Sequence, residues 1–416
     1  MDRKREARVL IYSHDTFGLG HLRRCRAIAN SLVGHDRDIS VLILSGSPII
    51  GNFDFRARVD FVRVPGVIKL RNGDYTSLAL HIDIKKTLAI RSSIVQHTAE
   101  AFDPDLFIVD KEPLGLRGEV GETLIQLKKR GTPLVLGLRD VLDDPSTLGR
   151  EWRRKKVLPA LRDLYDEIWV YGIPEICDPV AGTGVSRAIR DKMRYTGYLR
   201  RNLPSDAPAL PPPVSFEEPY ILVTPGGGGD GHDMVDWVLR AYESDPGLPR
   251  PALIVLGPFM AMESQVEFVA RCEALPRVEV ITFDAHMEAL VAGAVGVVAM
   301  GGYNTFCEIL SFDKPALIVP RTVPRMEQFI RASRAQELGL SRMLVNGGGR
   351  DVKKMTRALR QLEDQPRPST SMLPGMLDGL DAVNQLAERL LSNRCGFAGG
   401  AAADDIAVAG SGRRRA

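Results

Sequence analysis

Short apolar runs alternate with stretches of helical hydrophobic spacing along most of the chain. In the first half, residues 9–12, 39–44, 61–64, 106–109, 134–137, 167–171 and 193–196 read as strands. Helical patterns at 22–32 and 118–129 lie between them. The runs carry few polar interruptions, as parallel strands do when helices cover both faces. Strand–helix alternation of this kind predicts α/β layers.

Residues 200–219 break the rhythm, with Pro204, Pro208, Pro211, Pro212, Pro213 and Pro219 and few apolar residues between them. A segment of this composition is stiff and extended, and it makes the best domain boundary in the chain. A second series of strands follows at 220–224, 252–256, 278–282, 295–299 and 316–319, with the first helix at 234–243. Residues 372–391 read as one amphipathic helix. The expected division is a first α/β domain over 1–199, a linker over 200–218 and a second α/β domain over 219–370. A terminal helix over 371–393, placed to pack back on the first domain, and a disordered Gly/Ala-rich tail over 394–416 complete it. The 416 residues suit two cores of roughly 150–200 residues each.

A formal charge of +3 with 26% charged residues gives no footprint for nucleic acid. Cys25, Cys177, Cys272, Cys307 and Cys395 are odd in number and never form a CxxC pair, so they read as reduced thiols without a zinc site. No secretory core and no apolar window of roughly 20 residues is visible. The expected location is cytoplasmic, with peripheral contact at the inner face of a membrane left open. One feature bears on that contact: Arg150, Arg153, Arg154, Lys155 and Lys156 crowd a helix that also carries Trp152, Leu158 and Leu161. A helix lying on an anionic membrane fits this pattern, but a solvated helix face fits it better.

The candidate chemistry gathers at three glycine turns, each after a strand and before a helix. The first contains Gly18, Gly20 and His21. It lacks the third glycine of a dinucleotide fingerprint, and no acidic residue closes the second strand, which disfavours a nicotinamide site. A histidine at a helix N-terminus is held toward its neutral form, which a general base requires. His21 is therefore either that base or a structural cap. Arg23 and Arg24 are not distinctive, and at least one of them should be solvated.

The second turn, Gly226, Gly227, Gly228 and Gly229, offers free backbone amides to an anion and lacks the Gly-Lys-Ser/Thr ending of an ATP-hydrolysing loop. His232 just beyond it reads as an exposed polar residue. In the third turn, Gly301 and Gly302 precede a helix for which Asn304 or Thr305 is the expected cap, with Glu308 one turn on. A diphosphate at the turn and a ribose diol at the glutamate would fit. Arg325, for phosphate, and Gln328, for sugar hydroxyls, follow the next strand. Asp110 and Arg139 close two strands of the first sheet, where they could serve an acceptor or be ordinary loop charges. Asp143-Asp144 precedes a proline and lacks a partner, so no metal motif is expected.

Two α/β domains, a proline-rich linker, a GxGH turn and a Gly-Gly–Thr–Glu turn together resemble GT-B glycosyltransferases of family 28. The resemblance covers nearly the whole chain in layout and is sharpest at 18–21, 226–229, 283–287 and 301–328. It implies two Rossmann-like domains with parallel sheets facing a cleft, and a UDP-sugar, such as a UDP-N-acetylhexosamine, held by the second domain as donor substrate, with no further cofactor. It implies Glu308 at the ribose diol, Gln328 near the donor sugar, Gly301, Gly302 and Thr305 around the diphosphate, Phe283 and Asp284 along the base, and His21 as catalytic base. The acceptor, a sugar, a lipid-linked molecule or another compound, would sit on the first domain, in cell-envelope or polysaccharide synthesis. The stretch 17–25 also resembles the GxGHxxRC segment of UDP-sugar hydrolases that share the fold and use water as acceptor. A nucleotide-sugar-binding protein without catalysis is the third reading.

Overall fold

The structure is a computed structural model that describes residues 6–14, 19–70, 74–203 and 214–395. Gly18, most of the expected linker and nearly all of the expected tail lie outside the described residues.

The first half of the chain forms β1 (Ala7–Ser13), β2 (Ile39–Ser45), β3 (Val59–Arg63), β4 (Val67–Lys69), β5 (Tyr75–Ser77), β6 (Leu106–Asp110), β7 (Leu134–Arg139), β8 (Glu167–Tyr171) and β9 (Met193–Tyr195). Its helices are α1 (Gly20–His35), α2 (Ile84–Phe102), α3 (Gly121–Lys129), α4 (Pro145–Arg154), α5 (Val157–Asp163) and α6 (Arg187–Arg190). The second half forms β10 (Ile221–Thr224), β11 (Ala252–Val255), β12 (Val278–Ile281), β13 (Gly296–Ala299), β14 (Ala316–Ile318) and β15 (Arg342–Met343). Its helices are α7 (His232–Ser244), α8 (Met262–Glu273), α9 (Met287–Gly293), α10 (Tyr303–Ser311), α11 (Glu327–Glu337), α12 (Val352–Arg360) and α13 (Gly379–Cys395).

Two parallel sheets result, ordered β3-β2-β1-β6-β7-β8-β9 and β12-β11-β10-β13-β14-β15, while β4 and β5 make a separate antiparallel hairpin. Val9, Leu10, Ile11 and Tyr12 are all buried, as strands covered on both faces must be. In each sheet the chain reverses its direction of growth beside the first strand, between β1 and β6 and between β10 and β13. Ligands of open parallel sheets bind outside the carboxyl ends of the strands at such a reversal. The loops after β1, β10 and β13 carry the three glycine turns, and Asp110 is the last residue of β6.

The halves share one core. Tyr303, Phe306, Cys307 and Leu310 of α10 pack with Cys25 and Ile28 of α1 and with Val383 and Ala387 of α13. The terminal helix lies on the first domain, where Asn384 donates to Ser31 at 3.0 Å and Arg389 pairs with Glu167. The expected helix over 372–391 is corrected: its first turns are irregular, and α13 begins at Gly379. Pro374 disfavours helical geometry at the residue before it, and Gly375 takes a φ of 76°. Met376 then accepts from the Tyr198 amide, and Asp378 bridges to Leu199.

The basic helix is also corrected. It is two helices, α4 and α5, separated at Lys156 with a φ of 52°. Leu148 and Trp152 of α4 and Val157 and Leu161 of α5 point into the core, which leaves no apolar face on this pair to enter a membrane. No helix among the described residues is long and apolar enough to cross one. α2 has no clear apolar stripe in the sequence because it buries Thr87 and Arg91 beside Val95 and Ala99.

Candidate active site

The loops at the two reversal points enclose a cleft of about 280 Å³ between the domains. From the first domain, Gly20 and His21 at the start of α1 and Arg139 at the end of β7 line it. From the second come Gly226, Gly227, Gly228 and Gly229 after β10, Phe283 and Asp284 after β12, and Gly302, Asn304, Thr305 and Glu308 around the start of α10, with Gln328 on α11.

The Gly226–Gly229 turn depends on glycine chemistry. Gly228 has a φ of 92°, and a Cβ there would lie 2.4 Å from the Leu256 carbonyl oxygen. Gly301 sits behind the cleft, with a φ of 77° and its carbonyl accepting from Arg331 at 2.8 Å. Gly302, not Asn304 or Thr305, is the N-cap of α10, and no side chain caps it. Asn304 is drawn elsewhere: its Nδ2 donates to Gly20 O at 3.0 Å, and its Oδ1 accepts from Arg201 at 2.9 Å. The amides at the start of α10 therefore remain directed at the cleft.

His21 is held by a buried carboxylate. Its Nδ1 lies 2.5 Å from Asp110 Oδ2, and Arg24 grips the same carboxylate through Nε at 2.7 Å and Nη2 at 2.6 Å. Arg24 and His21 hold the Asp110 carboxyl well below the usual range. With Asp110 ionised, Nδ1 carries the proton and Nε2 keeps its lone pair. Burial lowers the His21 pKa against the pull of Asp110, so the neutral ring prevails at neutral pH. Asp110 is thus occupied in orienting His21 and is not a free acceptor ligand. His14 packs 5.7 Å from His21, ring to ring, and burial drives its pKa down to about 3.

A stability consequence follows. Below its ordinary pKa of roughly 6.5, His14 takes up a proton only in the unfolded chain, so stability falls with acidity until the folded value is reached. Between pH 7 and pH 5 the wild-type protein should lose about 2 kcal/mol more than a His14→Gln variant, measured by chemical denaturation. Equal losses would show that His14 is not the group responsible.

On the second domain, Glu308 is fully buried and accepts from Arg23 Nη2 through Oε1, while Oε2 has no partner among the described residues. The same Arg23 nitrogen reaches Glu288 at 2.9 Å. Neither Arg23 nor Arg24 is solvated, contrary to expectation: both neutralise buried carboxylates. Arg325 is also corrected. It points away from the cleft to Asp143 at 3.2 Å and Glu151 at 3.1 Å, fastening the second domain to the first. Arg321 takes the cleft position instead, paired with Asp230 at 2.9 Å and Glu327 at 2.7 Å, while its amide donates to Gln328 Oε1 at 3.1 Å. Its place directly after Pro320, at the carboxyl end of β14, was the available sequence signal.

The Arg139 side chain makes no hydrogen bond or ion pair among the described residues, its buried Nε included. Burial lowers its pKa to about 10, which still leaves a full cation at neutral pH. No cluster of metal-ligating side chains occurs among the described residues. His232 is exposed, beside Glu267.

Residues 253–367 match the model of the glycosyltransferase family 28 C-terminal domain. The chain is 24% identical over 403 residues to an uncharacterized glycosyltransferase of Methanosarcina acetivorans, covering 91% of this chain and 97% of the relative. The chain is a glycosyltransferase of GT-B fold whose second domain resembles family 28. The glycosyltransferase is also 31% identical over 144 residues to the UDP-N-acetylglucosamine–N-acetylmuramyl-(pentapeptide) pyrophosphoryl-undecaprenol N-acetylglucosamine transferase of Methylobacterium nodulans, over 33% of this chain and 37% of that one. Its fold superposes on the calicheamicin glycosyltransferase CalG4 with a TM-score of 0.58 at 14% identity, over 95% of this chain and 100% of that one. These relatives are described as transferases, and none supports the hydrolase reading.

Proposed function

We propose that this glycosyltransferase moves a sugar from a UDP-sugar bound to the second domain onto an acceptor hydroxyl presented by the first. The observation that carries the donor half is Glu308 Oε2, a buried carboxylate oxygen in the wall of the cleft without a partner among the described residues. An ionised carboxylate accepts from both hydroxyls of a ribose diol, and hydrogen bonds to charged groups contribute roughly 1.5–3 kcal/mol each. The diphosphate would lie against the glycine turns and the start of α10, with Arg139 and Arg321 supplying positive charge. Phe283 and Asp284 would line the base. Gln328 would face the donor sugar, with UDP-N-acetylhexosamine the first donor to test, as the Methylobacterium relative's name includes such a donor. That name also supports a place in cell-envelope synthesis.

His21 Nε2 would take the acceptor proton as the new glycosidic bond forms and UDP departs. Glu308→Ala should weaken UDP binding about 10- to 150-fold by calorimetry, the loss of one charge-assisted hydrogen bond. UDP affinity within threefold of wild type would defeat the donor assignment.

A further inference from the structure

Arg23 belongs to the first domain by sequence and to the donor wall by position. It leaves the first turn of α1, crosses the domain boundary and places one nitrogen between Glu288 of α9 and Glu308 of α10. All three side chains are largely buried, at 12%, 9% and 1% exposure. Two carboxylates this close and this dry cannot both remain charged without a cation between them. Arg26 of α1 and Arg201 add positive charge nearby, but Arg201 is engaged with Asn304 and Arg26 stacks on Phe53 at 5.0 Å.

We propose that Arg23 is a positioning residue for the donor: by lying between Glu288 and Glu308, it keeps Glu308 an ionised acceptor for a vicinal diol. This rests on the donor reading above and adds that the first domain completes the donor site. Burial and the Glu288 charge leave the Glu308 carboxyl above its ordinary value, and Arg23 is the largest influence holding it down, with Arg201 a smaller one in the same direction. Removing Arg23 leaves burial and the Glu288 charge to favour a protonated Glu308. A protonated carboxyl retains only one good acceptor oxygen and turns the other into a donor. Domain closure and diol recognition are thereby coupled, because the cation that charges the donor carboxylate arrives on the other domain.

The test compares UDP with 2′,3′-dideoxy-UDP by calorimetry from pH 6 to pH 8. The ratio of the two dissociation constants isolates the diol and cancels titration of the phosphates. In the wild-type protein the ratio should be large and constant to within twofold. In Arg23→Met it should fall toward acid by up to about tenfold per pH unit, the slope of a single proton taken up by the carboxylate. Arg23→Lys, which keeps the charge, should recover most of the ratio at pH 6 and provides the test where the methionine variant does not fold. A methionine variant whose ratio stays at the wild-type value at pH 6, or a lysine variant that loses the ratio completely, overturns the role of Arg23. Glu308→Ala separates the two layers of argument. If it abolishes the ratio while Arg23→Met leaves it intact, the donor reading stands and this inference fails. If it leaves the ratio intact, the donor reading itself fails.

Discussion

Replacing His21 by alanine is expected to lower turnover by about 10²–10⁴-fold, the range a positioned general base contributes. UDP affinity should change by less than threefold, because His21 stands on the first domain, where the proposed acceptor would bind. The measurement is UDP release under saturating donor, with any acceptor on which the wild-type protein turns over. Asp110→Asn should lower turnover as well. An amide in place of the carboxylate no longer fixes the proton on Nδ1, where Asp110 Oδ2 now sits 2.5 Å away. The pH profile adds a sign. The proposed base acts when neutral, and the His21 pKa is lowered by burial, so activity should be lost as pH falls, with a midpoint below the ordinary histidine value of roughly 6.5. An Ala variant with turnover within threefold of wild type, or an acid limb unchanged by the substitution, would remove His21 from the chemistry.

The parts of the fold and site legible in the sequence are those that depend on local pattern. The apolar runs at 9–12 and 106–109 lie within central strands β1 and β6, because strands covered on both faces need continuous hydrophobicity. Glu308 and Thr305 reach the cleft because they follow a strand and a glycine turn, a purely local arrangement. His21 reaches the same cleft because its own turn closes β1 at the other reversal point. Pairing across the domains was not legible. Arg23 and Arg325 are both arginines in polar surroundings of the sequence, yet one reaches Glu308 across the cleft and the other fastens α11's leading loop to Asp143 and Glu151. Only the three-dimensional closure separates them. The same holds for Asp110, whose charge looked free until Arg24 and His21 closed on it. The terminal segment failed for a different reason: Met372 and Leu373 continue the apolar pattern of α13 but serve the core from an irregular loop.

Asp140→Ala is expected to be the most destabilising single substitution in the cleft's support, at about 3–5 kcal/mol, because it strands a buried cation. Asp140 is fully buried and receives Arg331 through Nε at 2.7 Å and Nη2 at 2.6 Å, together with the Tyr198 hydroxyl at 2.7 Å. Arg331, 1% exposed, uses its remaining nitrogen on the Gly301 carbonyl at 2.8 Å. The pair therefore ties the end of β7 in the first domain to the turn that begins α10 in the second. Without Asp140, Arg331 has no other carboxylate partner among the described residues, and the Gly301 turn loses the anchor that sets its angle to the cleft. Two effects should appear together in denaturant titrations and UDP calorimetry: a large drop in stability and a weaker donor site. The double variant Asp140→Leu with Arg331→Met distinguishes them. Removing both charges avoids the uncompensated cation, so stability should recover by at least half, while UDP binding should remain weak because the Gly301 carbonyl still lacks its donor. Full recovery of both would make the pair a structural contact only, and a loss below about 1 kcal/mol in the single variant would show that water reaches Arg331 in solution.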